Sequence, residues 1–350
     1  VFFKKIIKNA MLKATFRPYT LKFKTPGGTS RGVLTEKTSW FITVWDEKNP
    51  DIKGIGECSV LPKLSPDDRP NIETKLEDVA RNTDLLKSNF HTALADWPAI
   101  RFALETALLD LGNGGNQELF PGPFTSGTKG IPINGLIWMG SPNEMKQQIE
   151  EKLNAGFRCL KMKIGAIDFQ QEYNILKKLR STFSPKDLEL RVDANGAFSA
   201  SEAPSILEKL AELNIHSIEQ PIKAGQWQEM AQICESTPLP VALDEELIGI
   251  DEPARKEQLL QTIRPQYIIL KPSLTGGFKA SEEWISAAEN NNTGWWVTSA
   301  LESNIGLNAI AQWTATLNNP MPQGLGTGQV FSNNTKSSLT IKIGELWMKK

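Results

Sequence analysis

From residue 131 onward, short apolar stretches recur about every 27 residues, and a helix-length segment follows nearly every one. They fall at 131–139, 159–164, 189–195, 217–221, 240–245, 267–272, 294–300 and 323–327. Between most of them apolar residues return with helical period, as at 143–154 and 169–183. Strands alternating with helices build parallel sheets, because each parallel connection needs a crossover of a dozen residues or more. About eight such units in roughly 200 residues predict an α/β fold of the modified (β/α)8, TIM-like kind rather than an open doubly wound sheet. No Gly-x-Gly-x-x-Gly follows the first strand, so a dinucleotide-binding sheet loses its main support.

The N-terminal part has a different texture. Residues 15–24 alternate, residues 39–45 form a compact apolar strand, and a glycine-rich loop at 26–32 separates them. A second loop runs from Gly54 to Pro70, and helical patterns follow at about 71–88 and 96–112. The breaker-rich stretch 112–130 reads as a boundary, and 338–347 alternates like an antiparallel strand expected to return to the N-terminal part. The expected organisation is an α+β capping domain over 11–125, a barrel over 131–327 and a C-terminal segment over 328–350 that completes the cap. Residues 1–10 are expected to be an upstream leader, with Met11 a plausible start.

Composition excludes several classes. The 39 basic and 40 acidic residues nearly cancel, so no polyanion-binding surface is expected. Three scattered cysteines suit a reducing cytoplasm better than a disulfide framework, and two histidines are too few for a His-rich metal site. No apolar run approaches the ~20 residues of a membrane span. The expected partner is a small-molecule carboxylate, with no nucleic acid and no membrane, and a homo-oligomer stays open.

Active sites of such barrels lie at the C-terminal ends of the strands. There the chain offers Lys161 and Lys163, then Asp193 and Asn195, Glu219, Asp244 beside Glu245, and Lys271. Lys161 and Lys163 share one strand face, which alone would also fit an edge strand with a solvated lysine row. Carboxylates from three successive strands cannot all stay ionised without a cation, and all-oxygen ligation suits Mg²⁺ or Mn²⁺. Lysines flanking them could remove a proton and stabilise the resulting anion. Arg191 shares a face with Asp193 and is a further candidate to steady it or reach the substrate, whereas His216 is expected to be structural.

These motifs resemble the enolase superfamily, and within it the muconate-lactonizing-enzyme-like subgroup. The resemblance spans nearly the whole chain: Lys161-Met-Lys163, Asp193-Ala-Asn195-Gly196, Ile218-Glu219-Gln220-Pro221, Leu243-Asp244-Glu245, Leu270-Lys271-Pro272 and Ser299-Ala-Leu-Glu302-Ser-Asn-Ile-Gly306. It implies a barrel with a capping domain and abstraction of a proton α to a carboxylate, the enolate being held on a metal. It assigns Asp193, Glu219 and Asp244 as metal ligands, Lys163 as the acid/base and Lys271 as its counterpart. It also implies that loops 27–31 and 58–66 close over the substrate.

Residues 323–328 read Gln-Gly-Leu-Gly-Thr-Gly and lack the Asp-x-Asp with which dipeptide epimerases hold a substrate ammonium. The slim Gly324, with Thr298 and Ser299, leaves room for a bulky dianion, and Lys161 and Asn195 are further candidate contacts. Within the subgroup this pattern is most similar to the o-succinylbenzoate synthases, hydro-lyases of menaquinone biosynthesis. N-acylamino-acid racemase and muconate cycloisomerase chemistry use the same two lysines and remain alternatives. A Schiff-base aldolase is a more distant one.

Overall fold

The computed structural model describes residues 10–29, 32–87 and 90–349. The expected leader therefore lies outside the described residues except for Ala10, as do Ser30 and Arg31 of the first loop.

The N-terminal part is an antiparallel sheet of β1 (Leu12–Thr29), β2 (Gly32–Asp46) and β3 (Asn49–Ser59), in that order. The β1–β2 register runs from Leu12↔Asp46 to Lys22↔Glu36 and shifts between Lys22 and Gly27. On β3, Gly54 and Gly56 let the helix Pro98–Gly112 lie directly against the strand. A Cβ at Gly56 would stand 1.9 Å from the Ala103 carbonyl oxygen, and one at Gly54 1.9 Å from that of Ala107. Proline at the first turn starts that helix, and Asp67 accepts from the free N–H groups of Ala99 (3.0 Å) and Ile100 (3.2 Å). Ala99, Ile100, Phe102, Ala103, Leu104, Ala107 and Leu108 are all buried, so the helix is apolar on nearly every side. It packs between the sheet and the helices Pro272–Thr275 and Gly277–Asn290.

Seven strands make the parallel sheet, in sequence order: β5 (Gly135–Ile137), β6 (Cys159–Lys163), β7 (Glu189–Asp193), β8 (Ser217–Glu219), β9 (Val241–Leu243), β10 (Tyr267–Leu270) and β11 (Gly294–Val297). Its core is continuous from Ile137 through Leu160, Val192, Ile218 and Leu243 to Val297. The edge-strand reading of the two lysines is excluded, because β6 is paired on both sides, with β5 and with β7.

Residues 26–29 and 54–59, expected in loops, belong to β1 and β3, and three further expectations change. The stretch 131–139 is two strands: β4 (Ile131–Pro132) leaves the parallel sheet, and only β5 joins it. The stretch 323–327 is no strand among the described residues; only Gln323 and Gly324 make bridges, to Ile133 and Thr298, before a 3-10 turn at Gly326–Gln329. The hydrogen bonds explain why so short a piece suffices. Gln323 donates its N–H to Pro132 O and accepts from Asn134 N on one side, while Gly324 donates to Val297 O and accepts from Ser299 N on the other. The Gln323 side chain accepts a further bond from Val297 N (2.7 Å). Third, 338–347 is a hairpin, β12 (Leu339–Lys342) and β13 (Glu345–Met348), which pairs with β4 rather than with the N-terminal sheet. The link to β1 is made earlier, by Phe331↔Phe23 and by Asn333, which accepts from Lys22 N and donates to Thr20 O.

Candidate active site

The parallel register levels the reactive side chains. Lys163 pairs with Asp193 and Asp193 with Glu219 at adjacent strand ends, while Asp244 and Lys271 directly follow β9 and β10. Apolar neighbours on alternate positions anchor each strand: Leu160 and Met162, Leu190 and Val192, Ile218, Leu243 and Leu270 are all buried.

The structure brings the expected lysines and carboxylates into one network. Lys161 Nζ donates to Asp193 Oδ2 (2.9 Å) and Glu219 Oε2 (2.5 Å). Lys163 Nζ donates to Asp193 Oδ2 (2.9 Å) and Asn195 Oδ1 (2.6 Å). Lys271 Nζ pairs with Asp244 Oδ2 and stands 3.6 Å from Glu219 Oε1. Asn195, at a left-handed φ of 45°, also donates to Glu245 Oε1 (3.0 Å), tying the ends of β7 and β9 together. Burial raises the proton affinity of Asp193, but the ammonium groups of Lys161, Lys163 and Lys271 outweigh it and hold the carboxyl far below its ordinary range. Burial pulls Lys161 and Lys271 down, and the facing carboxylates more than offset this, so both lie above the ordinary lysine range.

Among the described residues, no three His, Cys, Asp or Glu side chains are gathered closely enough to hold an ion directly. The ammonium groups of Lys161 and Lys271 stand between the carboxylates and supply the neutralising charge. The donor set is nevertheless right for a hard divalent cation: all oxygen, on three successive strands. Glu219 Oε1 is buried and accepts no hydrogen bond, an orphan acceptor that a cation would satisfy. The residues fit the ion.

Above the network lies a cavity of about 390 Å³. Lys161, Lys163, Asp193, Asn195 and Lys271 line its floor, and Thr298, Ser299 and Gly324 one wall. Glu219 and Asp244 lie beneath, reached through the lysines. Of the expected capping loops, the second contributes residues 61–64, and Gly32–Leu34, at the start of β2 just beyond the first, also line the cavity. A Cβ at Gly324 would come within 2.3 Å of Thr298 Oγ1, so glycine there keeps the wall open. Asn134 and Trp138, which sequence reasoning missed, line the cavity too. Asn134 Oδ1 and Thr298 Oγ1 are buried without a hydrogen-bond partner, and each can bond a polar ligand. Asn134 lies in the gap between β4 and β5, which reading 131–139 as one strand conceals.

Arg191 does not reach the site. Its guanidinium pairs with Glu189 (2.7 Å), donates to Pro322 O (2.9 Å) and lies 4.2 Å over the Trp296 ring, closing the far end of the sheet. His216 bonds the Ser217 hydroxyl (3.0 Å) and packs near Tyr267, in the same region.

Residues 144–347 match the family described as Enolase C-terminal domain-like, and the chain belongs to that family, within the enolase superfamily. It is 48% identical to the o-succinylbenzoate synthase of Desulfotalea psychrophila, over 96% of this chain and 98% of that one. The crystal structure of MenC from the same organism superposes with a TM-score of 0.85 at 45% identity, over 97% of this chain and all of the other. A muconate lactonizing enzyme of Pseudomonas fluorescens shares the fold with a TM-score of 0.81 at 20% identity, over 97% of this chain and 95% of that one. No helix among the described residues is long and apolar enough to cross a membrane.

Proposed function

We propose that the chain is an o-succinylbenzoate synthase, a hydro-lyase that dehydrates a succinyl-hydroxycyclohexadiene carboxylate to 2-succinylbenzoate. The reading rests on one observation above the others: Lys163 and Lys271 reach the same carboxylate cluster from opposite sides, on the floor of one cavity. Asp193, Glu219 and Asp244 would hold Mg²⁺ or Mn²⁺, which when bound supplies positive charge to an enediolate. Lys163, as the free amine, takes the proton α to the ring carboxylate; the enediolate then collapses and expels hydroxide. That hydroxide takes a proton from the Lys163 ammonium and leaves as water. Lys271 keeps its proton and stands as a fixed cation beside the developing negative charge, and its partnership with Asp244 and Glu219 favours that state. Lys161 holds Asp193 and Glu219 in place. Thr298, Ser299, Gly324, Asn195 and Asn134 would bind the part of the dianion that does not react.

The same proposal takes 11–125 as the capping domain, 131–327 as the barrel and 328–350 as the segment reaching back to the cap. Gln323 and Gly324 then fill the barrel's eighth position between β5 and β11.

Incubation with the cyclohexadiene substrate, following the absorbance of the aromatic product with Mg²⁺ and with EDTA, tests the reading. Turnover that needs the ion is expected. Turnover indifferent to EDTA, or none at all alongside solvent-deuterium exchange on both faces of an N-acyl amino acid, would replace it with another chemistry.

A further inference from the structure

Lys37, Glu57 and Glu302 are fully enclosed ionisable side chains that take no part in the carboxylate network of the active site. They lie where the N-terminal sheet meets the loop after β11. Lys37, on β2 and 2% exposed, donates from Nζ to the Leu301 carbonyl (2.9 Å) and to the Ser59 hydroxyl. Leu301 is itself a lining residue, and Ser59 ends β3 immediately before the capping loop that carries Leu61 and Leu64.

Leu301 holds a left-handed φ of 59°, a conformation that a residue with a Cβ keeps only when its surroundings enforce it. The enforcement is visible. Glu302, the next residue, accepts from Ala300 N (2.8 Å) and from the Ser273 hydroxyl, two residues beyond Lys271. Glu57 accepts from Ser303 N (2.8 Å), Ser303 Oγ (2.5 Å) and Gly306 N (2.9 Å), so a carboxylate of the N-terminal sheet caps the helix Asn304–Leu317. Burial disfavours the Lys37 charge, and the carboxylates of Glu57 and Glu302 compensate only in part. An apolar side chain would pack there without that cost but would leave the Leu301 carbonyl without a donor.

We infer that Lys37 is a positioning residue that couples the seating of the N-terminal sheet to the shape of the substrate wall formed by residues 298–301. The inference rests on the proposed function for its substrate but not for its geometry. Without the ammonium, Leu301 relaxes and Thr298 and Ser299 lose their alignment. Since these residues face the non-reacting part of the substrate, the loss falls on KM rather than on kcat.

The test uses the full chain with Lys37→Met, measured for KM and kcat with Mg²⁺ and the cyclohexadiene substrate, and for amide hydrogen exchange at residues 298–303 without substrate. KM is expected to rise about tenfold with kcat within about threefold, and exchange at 298–303 to accelerate while that of the β6–β10 strands does not. A lower melting temperature with KM within about twofold of wild type and unchanged exchange at 298–303 would make Lys37 merely structural and overturn the inference. Should Lys37→Met fail to fold, Lys37→Gln, which keeps a shorter donor, must raise KM and speed that exchange to a smaller degree, and unchanged values overturn the inference equally. An inactive wild type counts against the proposed function alone, because the exchange measurement still decides the role of Lys37.

Discussion

Replacing Lys161 by methionine exposes the electrostatics of the cluster most directly. Its side chain is 6% exposed and joins two carboxylates that are themselves 1% and 2% exposed. Methionine keeps the length and apolar packing of the stem while removing the charge. Breaking a buried pair by deleting one partner costs about 3–5 kcal/mol, because the remaining charge is left uncompensated. Here Lys163 still serves Asp193 and Lys271 still faces Glu219, so the lower end, about 3 kcal/mol, applies. For a chain of this size that lowers the melting midpoint by about 4 °C. Circular dichroism melts of both proteins in EDTA measure it. Magnesium at about 100 times its Kd then stabilises by about 2.7 kcal/mol, and more in the variant, where no ammonium competes for Asp193 and Glu219. The gap between the two proteins should therefore narrow in magnesium. A gap of the same size in EDTA and in magnesium would mean that ion and ammonium do not share these carboxylates, and the metal assignment would fall with it.

Lys163→Ala is expected to lower kcat by about 10²–10⁴-fold, the usual contribution of a general base, with substrate affinity by calorimetry nearly unchanged. Gly56→Ala drives a methyl group to within 1.9 Å of the Ala103 carbonyl and should destabilise the chain by about 1–3 kcal/mol or more in urea unfolding, with kcat preserved in the folded fraction. Burial pushes the Glu105 carboxyl up to about 7, although it accepts from the N–H groups of Phe278 and Lys279. A raised folded-state value means that its contribution to stability is complete below the ordinary value of 4.5 and is lost as pH rises through about 7. Urea midpoints of Glu105→Gln should accordingly vary less than those of wild type across that window, and parallel profiles would refute the assignment.

Much of this architecture is legible from periodicity and from residue type. The strand rhythm locates β6 to β11 closely, since each is a short apolar run buried on both faces and bounded by breakers. Lysines and carboxylates at strand ends stand out because such residues are rarely buried without partners, and the partners proved to be one another. Legibility fails where hydrogen bonding, not side-chain pattern, decides. Residues 323–327 look like a strand, yet two residues satisfy both neighbours and the glycines turn away. Likewise the residues around Lys37 give no sign that it is buried; only the arrival of the Leu301 carbonyl from 264 positions away accounts for it. Arg191 shows the opposite failure, since a shared face with Asp193 says nothing of which end of the sheet a long side chain turns toward.

The brevity of the Gln323–Gly324 bridge has a consequence for how such an enzyme can change. Every other wall of the cavity belongs to a strand, a cluster of ions or a packed loop, so that altering it disturbs several partners at once. At this seam the sheet is held by backbone atoms and one amide side chain, and Gly324 contributes no side chain of its own. A Cβ at Gly324 would stand 2.3 Å from Thr298 Oγ1, so a side chain can be added there only if Thr298 becomes smaller with it. Gly324 and Thr298 must therefore change as a pair, and such a paired change reshapes one wall of the cavity while leaving the lysines and carboxylates untouched.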